Sequence, residues 1–201
     1  MTRRVLAQIM IRDGDQAGAW DELARSLELD RAAVLAALGI YTQAGRAIIR
    51  PSIHPDGRYL LVLNGGYNPP SISVLDVRTG AEVSRAKAED AWLGLTFSKD
   101  GKKLYVGGGS RASVYEYNYA DGKLEAARTF VVVPEGERKH QDFVGDVQFS
   151  PDGRLLYASV LYRDQIVVIN PLSGRVIERF ATGRRPYRIL FHPDGKSFFV
   201  T

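Results

Sequence analysis

Beyond residue 47 the apolar and polar positions fall into short runs that recur in one fixed order. An apolar strand enters an Asp-Gly turn, a second apolar strand leaves it, a third strand rich in β-branched and aromatic residues follows, and a more polar fourth strand closes the unit. The first strands are predicted at residues 48–53, 92–97, 144–149 and 186–191. They run into His54-Pro55-Asp56-Gly57, Ser98-Lys99-Asp100-Gly101, Ser150-Pro151-Asp152-Gly153 and His192-Pro193-Asp194-Gly195. Second strands are predicted at 58–62, 102–106, 154–158 and 196–200, third strands at 72–77, 113–117 and 166–170, and fourth strands at 81–85, 123–130 and 175–181.

The turn glycines lie 44, 52 and 42 residues apart, a period that marks blades, solenoids or arrays. Four antiparallel strands per repeat define a β-propeller blade, so the fold class is all-β. The predicted blades occupy residues 47–90, 91–142 and 143–184, with a half blade at 185–201. Closed rings have at least four blades, so the chain reads as about three and a half blades of a larger ring, with sheet edges that invite association. The turn Asp-Gly pairs recur in register with the repeat. They read as hairpin chemistry, the Asp bonding the turn backbone and the Gly supplying a left-handed conformation.

Residues 1–40 follow a different pattern. Trp20, Leu23 and Leu27 stand at helical spacing, and a second short helix is predicted from the Asp30 N-cap through Val34, Leu35 and Leu38 to Gly39. This segment has a faint helix-turn-helix likeness. Glu28 stands where such motifs carry glycine, however, and Leu35, Ala36 and Ala37 occupy the positions of base-reading side chains. The expected role is therefore a cap on the blades, with no nucleic-acid partner.

Charge adds little to this picture. The net charge is +4, and the basic residues after each turn are scattered rather than aligned along a track for a phosphate backbone. The one cluster, Arg184, Arg185 and Arg188 near Arg163, reads as solvated surface arginine. The chain has no cysteine, which removes disulfides and thiolate chemistry. No apolar run is long enough to span a membrane. The basic start at Arg3 and Arg4 is followed by Gln8, Arg12, Asp13 and Asp15, which argues against a signal peptide.

No nucleophile elbow, phosphate loop or metal triad stands out. The run Gly107-Gly108-Gly109-Ser110 lacks the Lys of a phosphate loop and reads as a flexible connection. His54 and His192 occupy equivalent turn positions, which leaves His140 as the one histidine outside the repeat. Any ligand site should lie on the channel face, where second strands pass to third strands and fourth strands to the next blade. The candidates there are Asn64, Tyr67, Asn68, Trp92, Arg111, His140, Asp142, Tyr162, Arg163, Arg185 and Tyr187. No catalytic or metal-binding residue is assigned.

The second strands ending in Leu-Tyr-Val or Phe-Val-Thr, and third strands such as Ile166-Val167-Val168-Ile169-Asn170, resemble the YVTN-type β-propeller repeats of bacterial and archaeal proteins. Leu63-Asn64-Gly65-Gly66-Tyr67-Asn68-Pro69-Pro70-Ser71, Ala91-Trp92-Leu93-Gly94-Leu95 and Leu104-Tyr105-Val106-Gly107-Gly108-Gly109 resemble the propeller that precedes an alkaline-phosphatase-superfamily phosphoesterase domain. That resemblance implies seven blades and a periplasmic or extracellular location. It also implies phosphoesterase chemistry on a following domain whose residues are absent from these 201. The expected function is a non-catalytic binding or scaffolding propeller without a cofactor. Its partners would be an unidentified small ligand or protein, the remaining blades and the phosphoesterase domain. The alternative is part of a propeller hydrolase acting on a small substrate such as a lactone.

Overall fold

The structure, a computed structural model, describes residues 48–64, 69–192 and 194–201. The helical pair expected within residues 1–40 and the candidates Tyr67 and Asn68 lie outside the described residues.

Every described strand pairs antiparallel with its sequence neighbour. The first sheet holds β1 (Ile48–Ile53), β2 (Tyr59–Asn64), β3 (Ser71–Asp76) and β4 (Glu82–Lys87). The second holds β5 (Leu95–Phe97), β6 (Lys103–Gly107), β7 (Ser113–Ala120) and β8 (Lys123–Val131). The third holds β9 (Val144–Phe149), β10 (Leu156–Val160), β11 (Gln165–Asn170) and β12 (Arg175–Ala181). A fourth sheet has two strands, β13 (Ile189–Phe191) and β14 (Phe198–Val200). In-order, four-stranded antiparallel sheets stacked face to face are propeller blades.

Side-chain alternation explains the stacking. Leu104 and Val106 of β6 join Leu61, Leu63, Ile72 and Val74 of the first sheet in one core cluster. Tyr105, between them, faces the other way into a cluster with Val147, Leu156, Ala158 and Val167 of the third sheet. One strand thus serves two cores, as a period of two requires, and each fully buried Leu or Val contributes about 1.5–3 kcal/mol. The outer strands β4, β8 and β12 are mostly exposed, in line with their polar sequences. Each third-to-fourth strand pair carries a register shift at the same place, at Val74/Leu75, Glu116/Tyr117 and Val168/Ile169. A bulge repeated in register bends every blade alike.

The turns between first and second strands are built one way. The N–H of Gly57, Gly101, Gly153 and Gly195 donates to the carbonyl three residues earlier, at 2.8–3.0 Å, and these glycines have φ of 69–76°. Asp56, Asp100, Asp152 and Asp194 each accept the N–H two residues on, at 2.8, 3.1, 3.0 and 2.9 Å. The Ser98 and Ser150 hydroxyls, with the Lys102 and Arg154 N–H groups, hold Asp100 and Asp152 below the usual Asp range, and the Lys196 N–H with His192 does so at Asp194. At Asp56 burial is the largest effect and opposes, yet His54 and the Arg58 N–H prevail.

Two expectations need correction. The first strands of the second and fourth sheets start later than alternation indicates, at Leu95 and Ile189, and before them only single backbone bonds continue the pairing, from Gly107 N–H to the Gly94 carbonyl and between Tyr187, Arg188 and Thr201. The run 107–110 is not a flexible loop. Gly107 ends β6, and the Gly109 N–H and carbonyl exchange bonds of 3.0 and 2.9 Å with Val144 of the next sheet. A Cβ on Gly107 would overlap the Gly145 carbonyl oxygen, and one on Gly109 the Asp90 carbonyl oxygen. The glycines are there because two backbones meet.

A buried ionic buckle ties the second sheet to the third. Glu116 on β7 accepts from Lys103 Nζ (2.8 Å), Tyr105 Oη (2.8 Å) and the Arg128 guanidinium (2.9 and 2.6 Å). Arg128 also donates to the carbonyls of Pro171 and Leu172, both at 2.8 Å. Burial opposes ionisation of Glu116, yet its donors prevail and hold the carboxyl at about 2.

Candidate functional site

The sheet order places β1, β5, β9 and β13 at the inner edge, with the second-to-third and fourth-to-first connections gathered at one end. Most of the sequence candidates lie at that end. Asn64, at the end of β2, donates through Nδ2 to Ser71 Oγ and Ser73 Oγ at 3.2 and 3.0 Å, so it braces β3. Trp92 is exposed beside the start of β5. Arg111 pairs with Asp90 at 3.0 Å and with Glu89 at 3.4 Å.

The structure brings Asp142 and Arg163 together. Arg163 donates from Nε and a terminal nitrogen to the two Asp142 oxygens at 2.7 and 2.8 Å, and to the Glu137 carbonyl at 2.6 Å. The Lys139 N–H adds a bond to Asp142 at 2.8 Å. Asp142 is only 2% exposed, and the Arg163 guanidinium holds its carboxyl below the ordinary Asp range. The reading of Arg163 as a solvated arginine is therefore overturned: it clamps the connection between β8 and β9. His140 projects from that same connection and is exposed.

Tyr162 and Arg185 also meet, the guanidinium carbon standing 5.4 Å from the ring centroid. Asp164 fixes the backbone beneath, accepting the Arg185 N–H at 2.7 Å through Oδ1 and the Thr182 N–H at 2.8 Å through its carbonyl. Tyr187 is exposed nearby in sequence. Arg188, grouped in the sequence with the surface arginines, is buried.

The sequence reading missed Asp146. It lies within innermost strand β9 and is 1% exposed. Its N–H donates to Ser159 Oγ at 2.9 Å and its Oδ2 accepts the Ile189 N–H at 3.0 Å, while Oδ1 abuts Gly94. It therefore touches the second and fourth sheets from the third. The signal was register. Counting three residues back from the last residue of each first strand gives Arg50, Gly94, Asp146 and Arg188, a charge-bearing level in otherwise apolar strands. Among the described residues, no group of three or more His, Asp or Glu is placed to hold a metal, and no helix is long and apolar enough to cross a membrane.

Stacked four-stranded antiparallel sheets define the class as a partial β-propeller. Residues 94–201 match the seven-bladed β-propeller lactonase family, more than half of the chain, and the chain belongs to that family. Among solved structures, a candidate 6-phosphogluconolactonase from Bacteroides uniformis is 25% identical over 79% of this chain and 48% of its own, with a TM-score of 0.62. Hydrazine synthase of Kuenenia stuttgartiensis is 27% identical over 75% of this chain and 42% of its own, TM-score 0.62. The periplasmic gluconolactonase PpgL of Pseudomonas aeruginosa, 22% identical over 77% of this chain and 47% of its own, shares the fold with a TM-score of 0.64. The chain thus spans about half the length of these structures. No curated protein matches the sequence. These findings favour the propeller-hydrolase alternative over the non-catalytic scaffold, and they do not extend to the YVTN or phosphoesterase association.

Proposed function

We propose that this chain contributes to a propeller hydrolase that opens a small sugar lactone at the channel face. The observation that carries the reading is the lactonase-family match over residues 94–201, the span that holds Arg111, His140, Asp142, Asp146, Tyr162, Arg163 and Arg185.

Opening a lactone bonds the water oxygen to the ester carbonyl carbon and breaks the ring C–O bond, the proton taken from water going to the ring oxygen that leaves as a hydroxyl. One group must take the water proton, and a donor or cation must stabilise the charge that develops on oxygen. His140 is the candidate base, because imidazole is the commonest general base and this one is exposed on a connection that Arg163 and Asp142 clamp. Asp142 is unsuited to that task, since both its oxygens are occupied by Arg163. Arg185 supplies positive charge for the carbonyl or for the carboxylate product, since Arg111 and Arg163 are paired with carboxylates. Water is the only co-reactant this reading requires. Periplasmic or extracellular residence, which the sequence resemblance implies, belongs to the same proposal, and cell fractionation checks it.

The experiment is proton release by the purified protein with glucono-δ-lactone and with 6-phosphogluconolactone. Opening faster than the spontaneous rate is expected, with kcat falling roughly 100-fold in His140→Gln. A folded protein that leaves the spontaneous rate unchanged overturns the reading and returns the propeller to a binding role.

A further inference from the structure

The first sheet is buried on both faces, although described sheets stand against only one of them. Leu61, Leu63, Ile72 and Val74 face the second sheet and share a core with it. The alternate positions, Leu60 opposite Leu75 and Val62 opposite Ser73, face the other way. The third and fourth sheets follow beyond the second, so no described sheet stands on that outward side. Leu60, Val62, Ser73 and Leu75 are nevertheless 0% exposed, and Ile53, opposite Leu60, is buried with them.

The fourth sheet shows what an uncovered outward face looks like. Phe191 and Phe198 turn toward Tyr157 of the third sheet, and Phe199, on the opposite side, is 60% exposed. At the first sheet, then, other residues of the chain must exclude water. Residues 65–68, which connect β2 to β3, are too few to cover a face that runs to Leu60 and Leu75 at the turn end. The 47 residues before β1 are long enough. They also carry the apolar side chains such a face needs, with Trp20, Leu23 and Leu27 at helical spacing and Val34, Leu35 and Leu38 after them.

We propose that residues 1–47 cover the outward face of the first sheet, their Trp20, Leu23 and Leu27 stripe toward Leu60, Val62 and Leu75, and so withhold that face from a second copy of the chain. The inference is independent of the lactonase reading. Bare apolar sheet surfaces associate, and the cover leaves the fourth sheet, with Phe199, as the face open to a partner.

The chain has no cysteine, so a single introduced thiol reports the cover. In the full chain, Val62→Cys should react with a maleimide at least about 100-fold more slowly than Phe199→Cys, because it waits for local opening. Adding Trp20→Glu, Leu23→Glu and Leu27→Glu should bring the two rates together, while the Val167 and Val168 amides of the third sheet keep their hydrogen-exchange protection. A fast Val62→Cys, or one that stays slow in the presence of the three glutamates, overturns the proposal. So does protection that fades on dilution, which assigns the face to a second copy. If Val167 and Val168 lose their protection the combined variant has unfolded, and Trp20 fluorescence then decides. Trp92→Phe leaves Trp20 as the sole tryptophan; blue-shifted emission shielded from iodide is expected, and emission of a solvated indole overturns the proposal.

Discussion

The two ends of the blades are made on opposite plans. At the turn end, four connections repeat one set of backbone bonds, one carboxylate acceptor and one left-handed glycine. At the channel end the connections differ among the described residues. One is a two-bond backbone bridge from Gly109 to Val144, another a bidentate ion pair between Arg163 and Asp142, and a third an arginine held over a tyrosine. Repetition at the turn end serves the fold, which needs the same hairpin every time. Variation at the channel end leaves each connection free to bond its own neighbours.

Breaking the frame that both ends share should cost most. Glu116→Gln leaves Lys103 and Arg128 around a weakened acceptor, and a loss of roughly 3–5 kcal/mol is expected by guanidinium denaturation, the range for breaking a buried ion pair. The pH dependence follows from the depressed carboxyl. The stability that Glu116 contributes is fully present above its ordinary value of 4.5 and is lost as pH falls through about 2. The glutamine variant should lack that part of the acid slope.

Asp142→Asn tests the channel end. It removes the counter-charge from a half-buried arginine, and a loss of about 2 kcal/mol is expected. Proteolysis concentrated in residues 132–143 would mark the effect as local, whereas an unchanged cleavage pattern would mean that Arg163 does not clamp this connection. At the turn end, Asp100→Ala deletes the acceptor for the Lys102 N–H and Ser98 Oγ, and about 1 kcal/mol should be lost. Asp152→Ala should behave alike, since its turn has the same bonds; a twofold difference between them would break the equivalence of the turns. The smallest change belongs to Arg185→Gly, within about 0.5 kcal/mol of wild type, because relief of left-handed strain offsets the entropy that glycine adds to the unfolded chain.

The same contrast governs what could be read from the sequence. The Asp-Gly turns announced themselves because each copy confirmed the others, and the strands followed from alternation of residues such as Leu104, Tyr105 and Val106. The strand starts at Leu95 and Ile189 did not, since Trp92 and Pro186 have strand-like neighbours but lie beyond the last pairing bonds, which stop at Gly94 and Tyr187. The pairing of Asp142 with Arg163 was half visible. Both residues were candidates, but only the bonding shows that they satisfy each other. Asp146 escaped because a lone acid in an apolar strand carries no local signal, and becomes conspicuous only when the inner strands are aligned. The glycine run misled for a related reason: a stretch that two backbones force to be glycine spells the same as one that needs freedom.

The Gly109–Val144 bridge has a consequence for how the molecule breathes. Neighbouring blades of a repeat protein often open one at a time, each contributing its own stability and an interface term. Here a pair of main-chain bonds crosses the junction between the second and third sheets, so neither sheet can loosen at that end without releasing the other. The Gly109 and Val144 amides should therefore exchange their hydrogens together, as one cooperative unit spanning residues 95–181 rather than as two blades in turn.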